Sequence, residues 1–207
     1  MTLRKSFLAE PYYRWLDKRI LPYVNRLTLS PNQFTLVGLL LATAVPIGFF
    51  LHPVIGLLFM LISGFADTLD GLLARRRNAA SVFGAFFDST LDRISDFFYL
   101  LGFWILFWNA NRFILASGLI FASSFATVMI SYVKARSEAL GGTCSIGWME
   151  RGWRTVYLLI WAFLVCVLPP FVDLILWAGL VLYFVLTSIT VLQRIIYSRM
   201  EFLRSKG

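Results

Sequence analysis

Four aspartates, Asp67, Asp70, Asp88 and Asp92, stand in stretches of the chain that are otherwise apolar. Asp67 and Asp70 are three residues apart, which places both on one face of a helix; Asp88, Asp92 and Asp96 recur every four residues and share a face likewise. An ionised aspartate inside a bilayer costs about 3 kcal/mol or more, so such a group calls for a shared cation or a water-filled cavity. Protons alone are a poor solution, because neighbouring carboxylates oppose one another's ionisation. An all-oxygen donor set suits Mg2+, Mn2+ or Ca2+, and no His or Cys lies close in sequence to favour zinc. Four carboxylates can bridge two such ions, a pair that clamps the entering and leaving oxygens of a phosphoryl-type displacement. Gly71, Ala74 and Gly84 leave space beside the acids, and Arg75 offers a planar donor for phosphate. Those small residues read equally as helix-packing positions, and Arg75–Arg77 as a cytoplasmic anchor.

The elements that would carry these residues are membrane helices. The chain is 59% apolar and 17% aromatic with only 14% charged residues, far from a soluble composition. From Leu27 to Ala66 it contains no Asp, Glu, Lys or Arg, room for two spans of about 20 residues each. Hydropathy predicts six spans: Gln33 to Leu51, Val54 to Arg75, Phe83 to Trp108, Phe113 to Val133, Thr155 to Leu168 with an earlier start, and Phe171 to Gln193. His52-Pro53, Asn109-Ala110-Asn111, Gly141-Gly142 and Pro169-Pro170 separate them with turn chemistry. Asp67 and Asp70 then precede the loop between the second and third spans by about as much as Asp88 and Asp92 follow it, so antiparallel helices bring all four to one depth.

Basic residues set the orientation. Six precede the first span, three follow the second, four lie between the fourth and fifth, four start at Arg194, and Arg112 falls on the other face. Both termini and the site are therefore expected on the cytoplasmic side. The net charge of +8 faces anionic headgroups and metabolites and implies no nucleic acid. Tyr12, Leu16, Ile20, Val24 and Leu27 recur at helical spacing, with Arg14, Asp17, Lys18, Arg19 and Asn25 mostly between them. This predicts an amphipathic interfacial helix over residues 1–30, kinked at Pro22, ahead of a transmembrane catalytic domain over 31–207. The N-terminus lacks the apolar core and cleavage site of a signal peptide. Cys144 and Cys166 fit no metal-ligand or redox spacing.

The run Asp67-x2-Asp70-Gly71-x2-Ala74-Arg75-x8-Gly84-x3-Asp88-x3-Asp92 resembles the signature of the CDP-alcohol phosphotransferases at every fixed position. The six-span layout and the N-terminal helix are similar across nearly the whole chain. The resemblance implies that Asp67, Asp70 and Asp88 are chiefly metal ligands, with Asp92 completing the cluster as the base that deprotonates the acceptor hydroxyl. It implies a CDP-diacylglycerol or similar CDP-lipid donor, release of CMP, Mg2+ or Mn2+ as two ions, and a homodimer. Pro31, Asn32 and Thr35, in the run Ser30-Pro31-Asn32-x2-Thr35, resemble the family's cytidine-side entry to the first span; the same run reads equally as a helix cap.

For the acceptor, the segments Tyr132–Glu138 and Gly147–Arg154 resemble the phosphatidylinositol-phosphate synthases. The resemblance implies that Lys134, Arg154 and Arg194, with Arg151 beside them, bind the phosphate of a phosphorylated polyol such as inositol phosphate. Gly152-Trp153 stands where that branch usually has Pro-Glu. Glycerol 3-phosphate is the alternative acceptor. A divalent-cation transporter is the alternative of another class, although it predicts midplane acids and inverted repeats that the chain lacks.

Overall fold

The computed structural model describes residues 11, 14–24, 30–77 and 81–204. Tyr12, Asn25 and Leu27 of the expected interfacial helix lie outside the described residues. Every described element is helical. A juxtamembrane segment, α1, consists of a π-helical turn Leu16–Ile20 running into Leu21–Val24. It is followed by α2 (Pro31–Leu51), α3 (Pro53–Arg76), α4 (Val82–Leu106), α5 (Phe113–Ala139), α6 (Arg151–Val167) and α7 (Val172–Arg204).

Among the described residues, four segments are long and apolar enough to cross a membrane: α2, α3, α5, and α7 with its preceding 3-10 turn. The other two expected spans exist as helices and fall short for different reasons. α4 carries Asp88, Asp92, Arg93 and Asp96. α6 has 17 residues, about 25 Å of rise against a hydrocarbon core of about 30 Å.

The turns sit where the sequence puts them. His52 ends α2 and caps α3, its Nδ1 accepting from the Val54 N–H at 3.2 Å. The helices outrun the apolar stretches at their basic ends, however. α5 continues six residues beyond Val133, and α7 eleven beyond Gln193. The α5 extension is mostly polar, whereas that of α7 mixes Arg194, Arg199, Glu201 and Arg204 with Ile195, Ile196, Met200, Phe202 and Leu203; backbone continuity and the strong helix propensity of Lys, Arg, Glu, Met and Leu keep both helical.

The fold divides into two compact units, Thr2–Ile105 and Leu106–Gly207. In the first, α2 and α3 form an antiparallel hairpin drawn together by glycines. A methyl group on Gly48 would stand 2.8 Å from Gly56 Cα, so the helices keep this closeness only without a side chain there. Phe49 packs on Phe103 with ring centroids 5.4 Å apart, and its ring and Val45 fill the space that Gly102 leaves on α4. α1 belongs to this unit: Leu16 and Leu21 are buried against Phe34, Leu69, Leu72 and Leu73. Leu16, Ile20 and Val24 of the anticipated stripe face this core, and Leu21, outside the stripe, joins them. Pro22 has no N–H for an ordinary helical bond, and the chain widens into a π turn closed by Leu21 N–H to Leu16 O. The expected kink is taken up as that turn.

In the second unit α5 and α7 pack together, joined by a Thr127–Tyr183 hydroxyl pair at 3.0 Å. α6 is fixed to α7 by two aromatic donors: Tyr157 OH reaches Gly179 O at 2.7 Å and Trp161 Nε1 reaches Ile175 O at 3.0 Å. The Trp161 ring occupies the space a side chain at residue 179 would need.

Candidate active site

The ends of α3 and α4 bring Asp67, Asp70 and Asp88 together, with one carboxylate oxygen from each lying within 4.8 Å of the others. At about 4 Å and an effective dielectric near 20, each pair of unit charges repels by about 4 kcal/mol, so three ionised groups do not sit here unaided. Asp70 is the most enclosed, 5% exposed, and its Oδ2 is buried with no hydrogen-bond donor from the protein. An acceptor-only cluster holding an oxygen that no protein donor reaches fits a hard divalent cation. Asp92, one turn beyond Asp88, is 7% exposed and is not among the three. Among the described residues the group of clustered ligand atoms is therefore a triad, with the fourth aspartate beside it on the same helix face as Asp88. Asp96, a further turn along, is also buried.

The entry to α2 serves two purposes. Ser30 and Gln33 form a reciprocal cap, Gln33 N–H donating to Ser30 Oγ at 3.3 Å and Ser30 N–H to Gln33 Oε1 at 2.7 Å, with Pro31 in the first turn. Thr35, one turn in, is buried, and its hydroxyl donates to Pro31 O at 3.2 Å. Asn32 Oδ1 would lie 3.5 Å from a methyl on Gly84, so this glycine lets the start of α4 close on the start of α2. Gly71 has a comparable use: the Arg75 guanidinium folds back over it, with Nη1 3.7 Å from where a Cβ would stand. Arg75 also lines a cleft of about 560 Å3 with Asp17, Lys18, Pro22, Leu72 and Arg76. Arg76 Nη1 lies 3.7 Å from Asp17 Oδ1, tying α1 to the end of α3. Ala74 is half-buried on the triad's helix.

Below the triad, toward the membrane interior, three helices are joined by a buried relay that composition alone does not single out. Tyr99 OH donates to Ser63 Oγ at 2.8 Å, and Ser63 Oγ donates to Gly38 O at 2.7 Å. Ser63 is one turn before Asp67 and Tyr99 two turns after Asp92, on the faces that carry the acids. The signal available in sequence was that helical phase.

The second unit holds the basic residues expected to take the acceptor. Lys134 is half-exposed and 3.9 Å from Glu138. Arg154 and Arg194 are 2% and 3% exposed, far less than basic ends of membrane helices usually are. Arg154 Nη1 donates to Met149 O at 3.0 Å. Arg194 donates to Ile146 O at 2.9 Å through Nε and to Ile130 O at 2.6 Å through Nη1. Arg194 also feels the charges of Glu150, Arg154 and Glu138. Arg151, in the first turn of α6, is half-buried.

These arginines thus brace the loop between α5 and α6, which is held at other points too. Thr143 donates to the Glu201 carboxylate through its N–H at 2.9 Å and its hydroxyl at 2.7 Å. Met149 N–H donates to Thr190 Oγ1 at 3.2 Å. Gly147 adopts φ +122°, and a side chain there would collide with Thr190. Only glycine meets both conditions.

Residues 28–185 match the family described as CDP-alcohol phosphatidyltransferase. The chain belongs to that family. It is an enzyme of the phosphatidyltransferase class, embedded in a membrane and acting in phospholipid synthesis with a divalent metal. Among its relatives, the archaetidylinositol phosphate synthase of Methanothermobacter thermautotrophicus is 37% identical over 179 residues, covering 85% of this chain and 86% of that one. The phosphatidylinositol phosphate synthase of Corynebacterium glutamicum is 35% identical over 162 residues, with 74% and 72% covered. The phosphatidylinositol phosphate synthase of Mycobacterium tuberculosis, crystallised with manganese and citrate, superposes with a TM-score of 0.72 at 30% identity, covering 86% of this phosphatidyltransferase and 87% of that chain. A second structure of the mycobacterial enzyme, with CDP-DAG bound, has a TM-score of 0.68 at 28% identity and covers 93% and 94%.

Proposed function

We propose that this phosphatidyltransferase moves the phosphatidyl group of CDP-diacylglycerol, or a similar CDP-lipid, onto a hydroxyl of inositol phosphate with release of CMP. The observation that carries the reading is the triad of Asp67, Asp70 and Asp88 with the partnerless buried Oδ2 of Asp70. These three residues would hold the metal, as two ions when Asp92 contributes. Bound there, divalent ions supply charge neutralisation for the pyrophosphate and its leaving oxygen.

Asp92 accepts the proton of the acceptor hydroxyl. The freed oxygen attacks the lipid-linked phosphorus; the new P–O bond forms as the bond to the bridging oxygen breaks, and CMP departs with that oxygen. Pro31, Asn32, Thr35, Gly71, Ala74, Arg75 and Gly84 form the donor's binding surface. The acceptor phosphate is taken by Lys134, Arg151, Arg154 and Arg194. Arg194 supports the assignment: two of its five N–H groups serve backbone carbonyls, leaving others for an anion in a fixed direction. The names of the mycobacterial, corynebacterial and archaeal relatives favour inositol phosphate over glycerol 3-phosphate.

The membrane topology belongs to the same reading: α4 and α6 also cross, both termini and the site face the cytoplasm, and the enzyme works as a homodimer. Residues 1–30 form the interfacial segment and 31–207 the transmembrane catalytic domain. The test is CMP release by the purified protein with CDP-diacylglycerol and Mn2+ or Mg2+ across a panel of polyol phosphates. Inositol phosphate is expected to give the highest kcat/KM. Preference for glycerol 3-phosphate would replace the acceptor, and silence with every acceptor would remove the reaction.

A further inference from the structure

At the basic ends of α5 and α7, on the second unit, a slot of about 450 Å3 opens between the two helices. Its floor is a buried pair of serines, Ser198 Oγ donating to Ser137 Oγ at 3.1 Å. Small residues at the crossing draw the helices together and leave a notch, and with Ser198 donating to Ser137 the floor makes little polar demand on an occupant. The walls are apolar: Tyr132, Leu140, Ile195 and Leu203 are 58%, 57%, 46% and 63% exposed.

Two guanidiniums, Arg136 and Arg199, stand at its edge. Both are exposed, and neither guanidinium has a hydrogen bond or ion pair to another described residue. The acids that could neutralise them are engaged elsewhere, Glu138 beside Lys134 and Glu201 on Thr143. A slot with apolar walls and two unengaged cations at its rim is complementary to a molecule with a phosphate at one end and a hydrocarbon chain at the other. The volume lies in the range of small-ligand pockets, about 300–1,000 Å3. Basic pockets between membrane helices near the cytoplasmic surface commonly take anionic headgroups.

We infer that this slot is a binding site for one anionic phospholipid, its phosphate on Arg136 and Arg199 and an acyl chain along the groove between α5 and α7. The site is separate from the donor and acceptor positions proposed above and contains none of their residues. It does not depend on the identity of the acceptor.

The test is lipid retention by the purified full-length protein, read by native mass spectrometry after titration with anionic phosphatidylglycerol, zwitterionic phosphatidylcholine or inorganic phosphate. The wild type is expected to keep one phosphatidylglycerol per chain, phosphatidylcholine not at all, and inorganic phosphate is expected not to displace the lipid. R136Q and R199Q should each weaken retention about fivefold, and the double variant about 25-fold, at about 1 kcal/mol per cation near the surface. Leu140→Ser, which leaves both cations in place, should weaken it as well.

Equal retention by wild type and double variant overturns the proposal. Displacement by inorganic phosphate overturns it in favour of a free-anion site, and loss of a dimer rather than of lipid overturns it in favour of a second copy of the chain. Catalytic turnover enters none of these readings, so failure here and failure of the proposed reaction are told apart.

Discussion

At the scale of single residues, the acids divide by position. Asp67, Asp70 and Asp88 present clustered oxygens, whereas Asp92 is buried one turn away and outside that cluster. If the triad holds the metal and Asp92 handles the proton, the two jobs separate by mutation. Asp92→Asn should bind Mn2+, followed by electron paramagnetic resonance of the free ion, within a few-fold of wild type, while its CMP release drops by about 100-fold or more, the usual weight of a general base. Asp70→Asn should lose Mn2+ binding together with activity. Full turnover in Asp92→Asn would end its role as base, and lost Mn2+ binding in that variant would make it a ligand. The types and spacing of these acids were readable from sequence. The burial of Arg154 and Arg194 was not, because their partners are backbone carbonyls of Met149, Ile146 and Ile130, which any residue supplies. A pattern of side chains carries no trace of such bonds.

At the scale of elements, the apolar runs located every helix, and the turn residues separated them. What hydropathy missed were the extensions of α5 and α7 past their first basic residues and the π turn of α1, both carried by backbone hydrogen bonding. The relay from Tyr99 through Ser63 to Gly38 belongs to this scale, since it ties α4, α3 and α2 together just below the acids. Tyr99→Phe removes one buried bond while Ser63 keeps its bond to Gly38, a loss of about 1 kcal/mol. If the relay sets the distance between the acid-bearing faces, that cost should surface as Mn2+ affinity weakened about two- to fivefold, because 1.4 kcal/mol corresponds to a factor of ten. Isothermal titration with Mn2+ on the purified variant, set beside its melting temperature, decides the matter. A lower melting temperature with unchanged Mn2+ affinity would confine the relay to packing.

At the scale of the whole molecule, the distribution of basic residues and the apolarity of the helices make different demands. Counting only α2, α3, α5 and α7 as spans leaves Asn111 on the same side as Arg77 and sends the loop around Ser145 to the opposite side. That arrangement would export Lys134, Arg136, Arg151 and Arg154 and retain Arg112, against the usual bias of Lys and Arg toward the cytoplasm. If α4 and α6 also cross, Asn111 lies outside and Ser145 inside, and the basic residues fall as expected. α4 falls short as an apolar span because it carries the acids, which are tolerable at membrane depth when they face a cation or an aqueous cavity. Both positions are exposed, so a cysteine at either can be read by a membrane-impermeant maleimide in intact cells. With six crossings, Asn111→Cys labels without permeabilisation and Ser145→Cys labels only after it. The reverse pattern would establish four crossings and place the loop braced by Arg194 across the membrane from Arg77, where it could not take a cytoplasmic polyol phosphate.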